Sequence, residues 1–209
     1  MAKTTISAAF SLAILATALT AESQDGADDQ PSVFVHIENR GAVMPETIAG
    51  ARDQLAHIFQ AAGVRVESSA EAGHDRCATK LAVHVVLLGG AIADRFIKSE
   101  QVKPKVLAQA NSDARRVYVF WERVGPAVDH QAIGHGDALG LVIAHELAHV
   151  LLPARGHSPS GLMQANYNAY LSYGLRFSPD ESAAMRAFLV TWLAAAGRGS
   201  INWTAATAN

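Results

Sequence analysis

The apolar residues of this chain fall into alternating, helical and continuous patterns, and each pattern predicts an element. Ser32 to Glu38 (SVFVHIE) alternates and is rich in β-branched residues, which predicts a strand with His36 on one face. From Pro45 to Ala62 the apolar positions Ile48, Leu55, Ile58, Phe59 and Ala62 recur at helical spacing, with Pro45 near the start and Gly63 just past the end. Val64 to Glu67 alternates again as a short strand, and Ser68 to Thr79 is a loop. Leu81 to Leu88 (LAVHVVLL) is almost continuously apolar, as a strand buried on both faces would be, with His84 packed inside it. In Gly89 to Ser112 only Ala91 to Phe96 suits a helical turn, and Pro104 interrupts the stretch after it. Arg116 to Val124 (RVYVFWERV) alternates aromatic and β-branched residues and predicts a strand, and Gly125 to Gly136 is a loop holding His130 and His135.

The second half reads as helix, loop, helix. Asp137 is placed to cap a helix running to Leu152, which Pro153 closes. Gly156 supplies a residue tolerant of positive φ for a turn toward His157, and Ser158 to Tyr173 is a loop around Met163. Ser178-Pro179-Asp180-Glu181 forms a capping box with Ser at the N-cap, Pro at N1 and Glu at N3. Met185, Phe188, Leu189, Trp192 and Leu193 then line one helical face to Ala196, with Gly197 as the stop. The whole is an α+β (α/β-like) domain with a small mixed sheet of about four strands, a backing helix, the Asp137 helix and a C-terminal helix.

The ends and the composition change the picture in one respect, the compartment. Lys3, the apolar run Ile6 to Leu19 and the small-x-small sites Ala16-Thr17-Ala18 and Leu19-Thr20-Ala21 read as a signal peptide over 1–21. The run is too short to span a bilayer comfortably, and no Cys stands near for lipid attachment, so no membrane anchor is expected after cleavage. An acidic flexible lead-in (22–31), one folded domain (32–197) and a flexible tail (198–209) come next. The expected location is secreted or periplasmic, as a monomer. Cys77 is the single cysteine, so no intrachain disulfide forms and packing must stabilise the exported chain. A net charge of −2 with 17% charged residues lacks the basic excess that favours nucleic acid.

The chemistry concentrates in Ile143 to Met163, IAHELAHVLLPARGHSPSGLM. His145 and His149 stand four apart, so on a helix both imidazoles reach one metal ion, and Glu146 between them reaches a water on its open side. The flanks Leu-Val-Ile-Ala and Val-Leu-Leu are apolar, and burying two imidazoles and a carboxylate there is costly without a partner such as a metal. A catalytic zinc takes three protein ligands and one open position. His157 is the nearest candidate for the third. The bland alternative is a metal-free fold with these histidines satisfied in the core.

His145, Glu146, His149, His157, Ser158 and the Gly161-Leu162-Met163 turn resemble the metzincin zinc peptidases, and within them most nearly the matrixins. HELAHVLL…GHSPSGLM, coming after VYVFWERV, also resembles a group of bacterial secreted zinc proteases. The resemblance covers about Val117 to Met163. It implies a zincin-like fold and a secreted zinc metalloendopeptidase holding one catalytic Zn2+ on His145, His149 and His157. A zinc-activated water would attack the peptide bond with Glu146 as general base, and Met163 would floor the site as the Met-turn. On the peptidase reading Tyr167 and Tyr170 are candidates to stabilise the oxyanion, with surface or core tyrosines the default, and an exposed edge at Val117 to Trp121 is a candidate to receive the peptide or protein substrate by strand addition.

The chain departs from the pattern in two places. Metzincins have Gly and the third His where this chain has Leu152 and Arg155, so His157 comes two residues late, and Met163 stands close behind it. A gluzincin-like carboxylate, Glu181, is the rival third ligand. A catalytically silent zinc-binding secreted protein on the same scaffold is the alternative function.

Overall fold

The structure, a computed structural model, describes residues 30–69, 80–128, 132–165 and 174–201. The signal peptide, Cys77, His130, Tyr167, Tyr170 and the end of the tail lie outside these residues. In chain order the elements are β1 (Ser32–Arg40), α1 (Pro45–Ala61), β2 (Arg65–Ser69), β3 (Leu81–Leu88), α2 (Gly90–Ser99), β4 (Ala108–Asn111), β5 (Arg116–Phe120), α3 (Trp121–Val128), α4 (His135–Leu151) and α5 (Pro179–Ile201). They form one five-stranded sheet in the order β2-β1-β3-β5-β4. The first four strands in that order run parallel, and β4 pairs antiparallel with β5 at the edge.

The period-2 pattern explains the layers. Val33, Val35 and Ile37 of β1, Val83, Val85 and Leu87 of β3 and Val117 and Val119 of β5 are all buried and share one core with α1 and α4. Val86, Leu88 and Phe120 face the other way and are covered by Ala93 of α2 with Phe96 and Ile97 against them. Helix α4 is buried along nearly its whole length, every residue from Ala138 to Ala148. It crosses α1 so closely that a Cβ on Gly140 would stand 2.7 Å from Cβ of Gln54 and 2.8 Å from the carbonyl of Ala51. Small residues at that crossing let the helix that carries the metal motif lie deep against its neighbour.

Several expectations are corrected. The strand predicted over Arg116 to Val124 ends at Phe120 and α3 begins at once, because Val124 and Val128, one turn apart, are both buried on a helical face. The ambiguous stretch before it folds as α2 and as a fifth strand, β4. Because β4 covers β5, the open edge on this side is Ala108–Asn111 and not Val117 to Trp121. Helix α4 starts at His135 after Gly134, with no side-chain cap, so Asp137 sits in the first turn instead of capping it. His84 is exposed, its ring edge-on to that of His36 at 5.5 Å. Helix α5 continues past Gly197 to Ile201, since one glycine costs a helix only about 1 kcal/mol.

Candidate metal centre

Helix α4 brings His145, Glu146 and His149 into the floor of a cleft of about 650 Å³. Its walls are Lys103 to Ala110 on one side and Pro153, His157 and Ala165 on the other. His145 is 2% exposed, His149 is half-buried and His157 is exposed. The chain leaves α4 at Leu152, turns through an Arg155 N–H bond to the Leu152 carbonyl (2.9 Å), and swings His157 back over the helix.

The three imidazoles converge through the same atom. Nε2 of His149 stands 3.2 Å from Nε2 of His145 and 3.3 Å from Nε2 of His157. Nitrogens about 2.0–2.1 Å from a tetrahedral ion are about 3.3–3.4 Å apart, so the spacing fits one zinc. The proton positions fit as well. Nδ1 of His145 donates to the Leu162 carbonyl at 2.7 Å, which puts the ring proton on Nδ1 and makes Nε2 the acceptor nitrogen. Burial, first, and then the neighbouring His149 and His157 push the His145 pKa down to about 3, against the rise from its Leu162 bond. Burial and His157 likewise lower that of His149. Neutral imidazole is the form a metal requires. His145, His149 and His157 are the one such group of potential ligands among the described residues.

Glu146 is 7% exposed, and burial pushes its pKa up to about 7, opposed by a hydrogen bond from the backbone of Ala110 in β4. The edge strand thus orients the carboxylate beside the two ligands. A second tie runs from Ser112, whose hydroxyl donates to the His149 carbonyl at 3.1 Å. Met163 is buried in the core, and its carbonyl accepts from the Ser158 N–H at 2.8 Å.

The rival ligand is otherwise engaged. Glu181 is 4% exposed; one carboxylate oxygen accepts from the Ser178 N–H at 2.7 Å, and the Glu181 N–H bonds back to the Ser178 hydroxyl at 3.2 Å. That is the capping box expected from the sequence. The other oxygen accepts from the Ser158 hydroxyl, so both are committed away from the imidazoles. The positive-φ turn also differs from expectation: it is Gly161 (φ 78°) and not Gly156 that takes it, and a Cβ there would stand 2.9 Å from the Arg176 carbonyl. His135 packs edge-on against Trp121, with ring centroids 6.2 Å apart.

The Ala110 contact and the Ser158–Glu181 bond have no local signal in the sequence. Each joins segments that only the folded chain brings together.

No protein-family model and no curated protein matches this sequence. Among solved structures the fold is similar to archaemetzincin from Methanopyrus kandleri, with a TM-score of 0.52 and 13% identity over 78% of this chain and 98% of that one. A weaker likeness is to a zinc-dependent peptidase from Methanocorpusculum labreanum, with a TM-score of 0.42 and 11% identity over 74% of this chain and 99% of that one. At such identities the likeness is one of architecture: the chain has the zincin-like fold.

Proposed function

We propose that this chain is a zinc-dependent metalloendopeptidase in which His145, His149 and His157 hold one zinc ion and Glu146 is the general base. The observation that carries the reading is the convergence of three imidazoles, with Nε2 of His149 3.2 and 3.3 Å from those of His145 and His157, beside a buried carboxylate on the floor of an open cleft. A zinc ion held there supplies Lewis-acid chemistry, polarising the scissile carbonyl and lowering the pKa of water toward neutrality.

The residues of the chain do the rest. Glu146, held by Ala110, accepts the proton of the attacking water and delivers it to the leaving amine. Its raised pKa is a property of the metal-free pocket. With zinc on the adjacent histidines, the carboxylate form of Glu146 would be favoured, leaving it able to accept a proton near neutrality. The open edge of β4 offers backbone groups to an extended peptide, which would lie along the cleft by strand addition. Met163 is a buried core residue in this reading and not a ligand.

The signal-peptide pattern of 1–21 supports export to a periplasm or the medium, and no described helix is long and apolar enough to cross a membrane. The test is metal content by mass spectrometry on the mature protein, with peptide turnover by the native chain and by Glu146→Gln. One zinc per chain with turnover lost in the variant is expected. Zinc with no turnover of any peptide by the native chain would favour the catalytically silent zinc-binding protein. No zinc would overturn both.

A further inference from the structure

His145 and His149 need no special device to hold them, because both ride on a buried helix. His157 does. Pro153, Ala154, Arg155, Gly156 and His157 are all exposed, so packing does not fix the segment that carries the third imidazole. The anchor lies one residue on. The Ser158 N–H bonds to Met163, which closes the loop on itself, and the Ser158 hydroxyl donates to Glu181.

Glu181 is an unusual acceptor for such a bond. A carboxylate that is 4% exposed must be matched by hydrogen-bond donors. The capping box uses one oxygen. The second is left over by the cap, and Ser158 takes it. A hydrogen bond to a charged acceptor is about twice as strong as a neutral one and is directional. The bond spans 23 residues of sequence and ties the loop to the first turn of α5.

We infer that Ser158 is a positioning residue for the metal site: its hydroxyl, anchored on the buried carboxylate of Glu181 at the start of α5, holds the His157 loop so that the third imidazole faces the other two. The inference rests on the three-histidine reading above, and the double-variant design separates the two.

The test is zinc affinity by chelator competition on the full mature chain, well below its melting temperature, for Ser158→Ala, Ser158→Thr, His157→Ala and Ser158→Ala with His157→Ala. Partners that orient a ligand are worth about 10–100-fold in affinity. Ser158→Ala is expected to weaken zinc by about 10-fold, and Ser158→Thr, which keeps the hydroxyl, to restore most of it. In the His157→Ala background Ser158→Ala is expected to change nothing further, because the ligand it positions has gone. Glu181→Gln keeps an acceptor for the cap but not the charge, and should move affinity in the same direction as Ser158→Ala.

Native affinity in Ser158→Ala, with His157→Ala impaired, would overturn the positioning role and leave the triad standing. An equal loss in both backgrounds would also overturn it, since Ser158 would then act on the fold at large. Unchanged affinity in His157→Ala would remove the three-histidine site and this inference with it.

Discussion

The carbonyl of Leu162 lies 2.7 Å from Nδ1 of His145 and holds the proton on that nitrogen. The same residue's N–H bonds to the Arg176 carbonyl at 2.9 Å. One buried residue therefore sets which nitrogen carries the proton on an imidazole 17 residues away, and it is itself held by the segment leading into α5.

Gly161 makes this geometry available, so Gly161→Ala should be costly where Gly156→Ala is not. An alanine at 161 would sit at φ near 78° with its Cβ against the Arg176 carbonyl, while nothing stands within 4 Å of a Cβ at 156. The left-handed conformation alone costs an alanine about 1–2 kcal/mol. Urea unfolding of the metal-free chain should show at least that loss for Gly161→Ala, with weaker zinc binding alongside. It should show a change within about 0.5 kcal/mol for Gly156→Ala.

Removing a direct ligand should cost more than removing the residue that positions it. His157→Ala is expected to weaken zinc by more than about 100-fold, beyond the range of outer partners, and His145→Ala by at least as much. Circular dichroism should remain native for His157→Ala, because its side chain is exposed. Native zinc affinity in either variant would contradict the assignment.

The metal-free chain should respond to pH with two opposed components. Unfolded histidine titrates near 6.5, but His145 in the fold stays neutral down to about 3, so its contribution to stability is present above about 6.5 and is lost as pH falls toward 3; His149 acts in the same direction. Glu146 acts oppositely. Its folded pKa of about 7 lies above the ordinary 4.5, so its contribution is greatest below about 4.5 and is lost as pH rises to about 7. Glu146→Gln should therefore stabilise the metal-free protein at pH 8, by about 2 to 3 kcal/mol, and give no gain near pH 4. Melting curves across pH with a chelator present test the crossover.

Substrate charge is a further expectation. Apart from the imidazoles and buried Glu146, the ionisable side chains lining the described cleft are Lys103 and Lys105. Arg123 pins the backbone that carries them, donating to the carbonyls of Lys103 (2.9 Å) and Val106 (2.8 Å). Peptides with an acidic residue within a few positions of the cleaved bond should turn over faster. Reversing both lysines to Glu should lower kcat/KM for them by about 10-fold, an effect that shrinks in high salt. A flat response across an Asp scan of the peptide would refute it.

The parts of the fold legible in the sequence are those that local physics decides. β1 is set by β-branched alternation, β3 by its nearly continuous apolar run, α4 by the apolar flanks of the His145 motif, and the start of α5 by the Ser178–Glu181 box, whose two bonds are both formed. β4 escaped because Ala-Gln-Ala-Asn contains no β-branched or aromatic residue; its pairing with β5 makes it a strand. The switch from β5 to α3 escaped because Trp121 and Val124 continue a strand-like composition, and only burial of Val124 with Val128 selects helix. The third ligand stayed open between His157 and Glu181 because the choice depends on contacts between distant segments.

The four-residue length of β4 carries a consequence for solubility. An uncovered sheet edge can pair with any extended backbone, including that of another copy of itself, and long flat edges are where proteins begin to aggregate. A chain that offers such an edge to captured peptides must keep it short. β4 has only Ala108–Asn111 to present, with exposed Gln109 and Asn111 along it and two lysines just upstream. On the strand-addition reading, that ladder would grip a strand lying in the cleft while offering another copy only four residues to pair with.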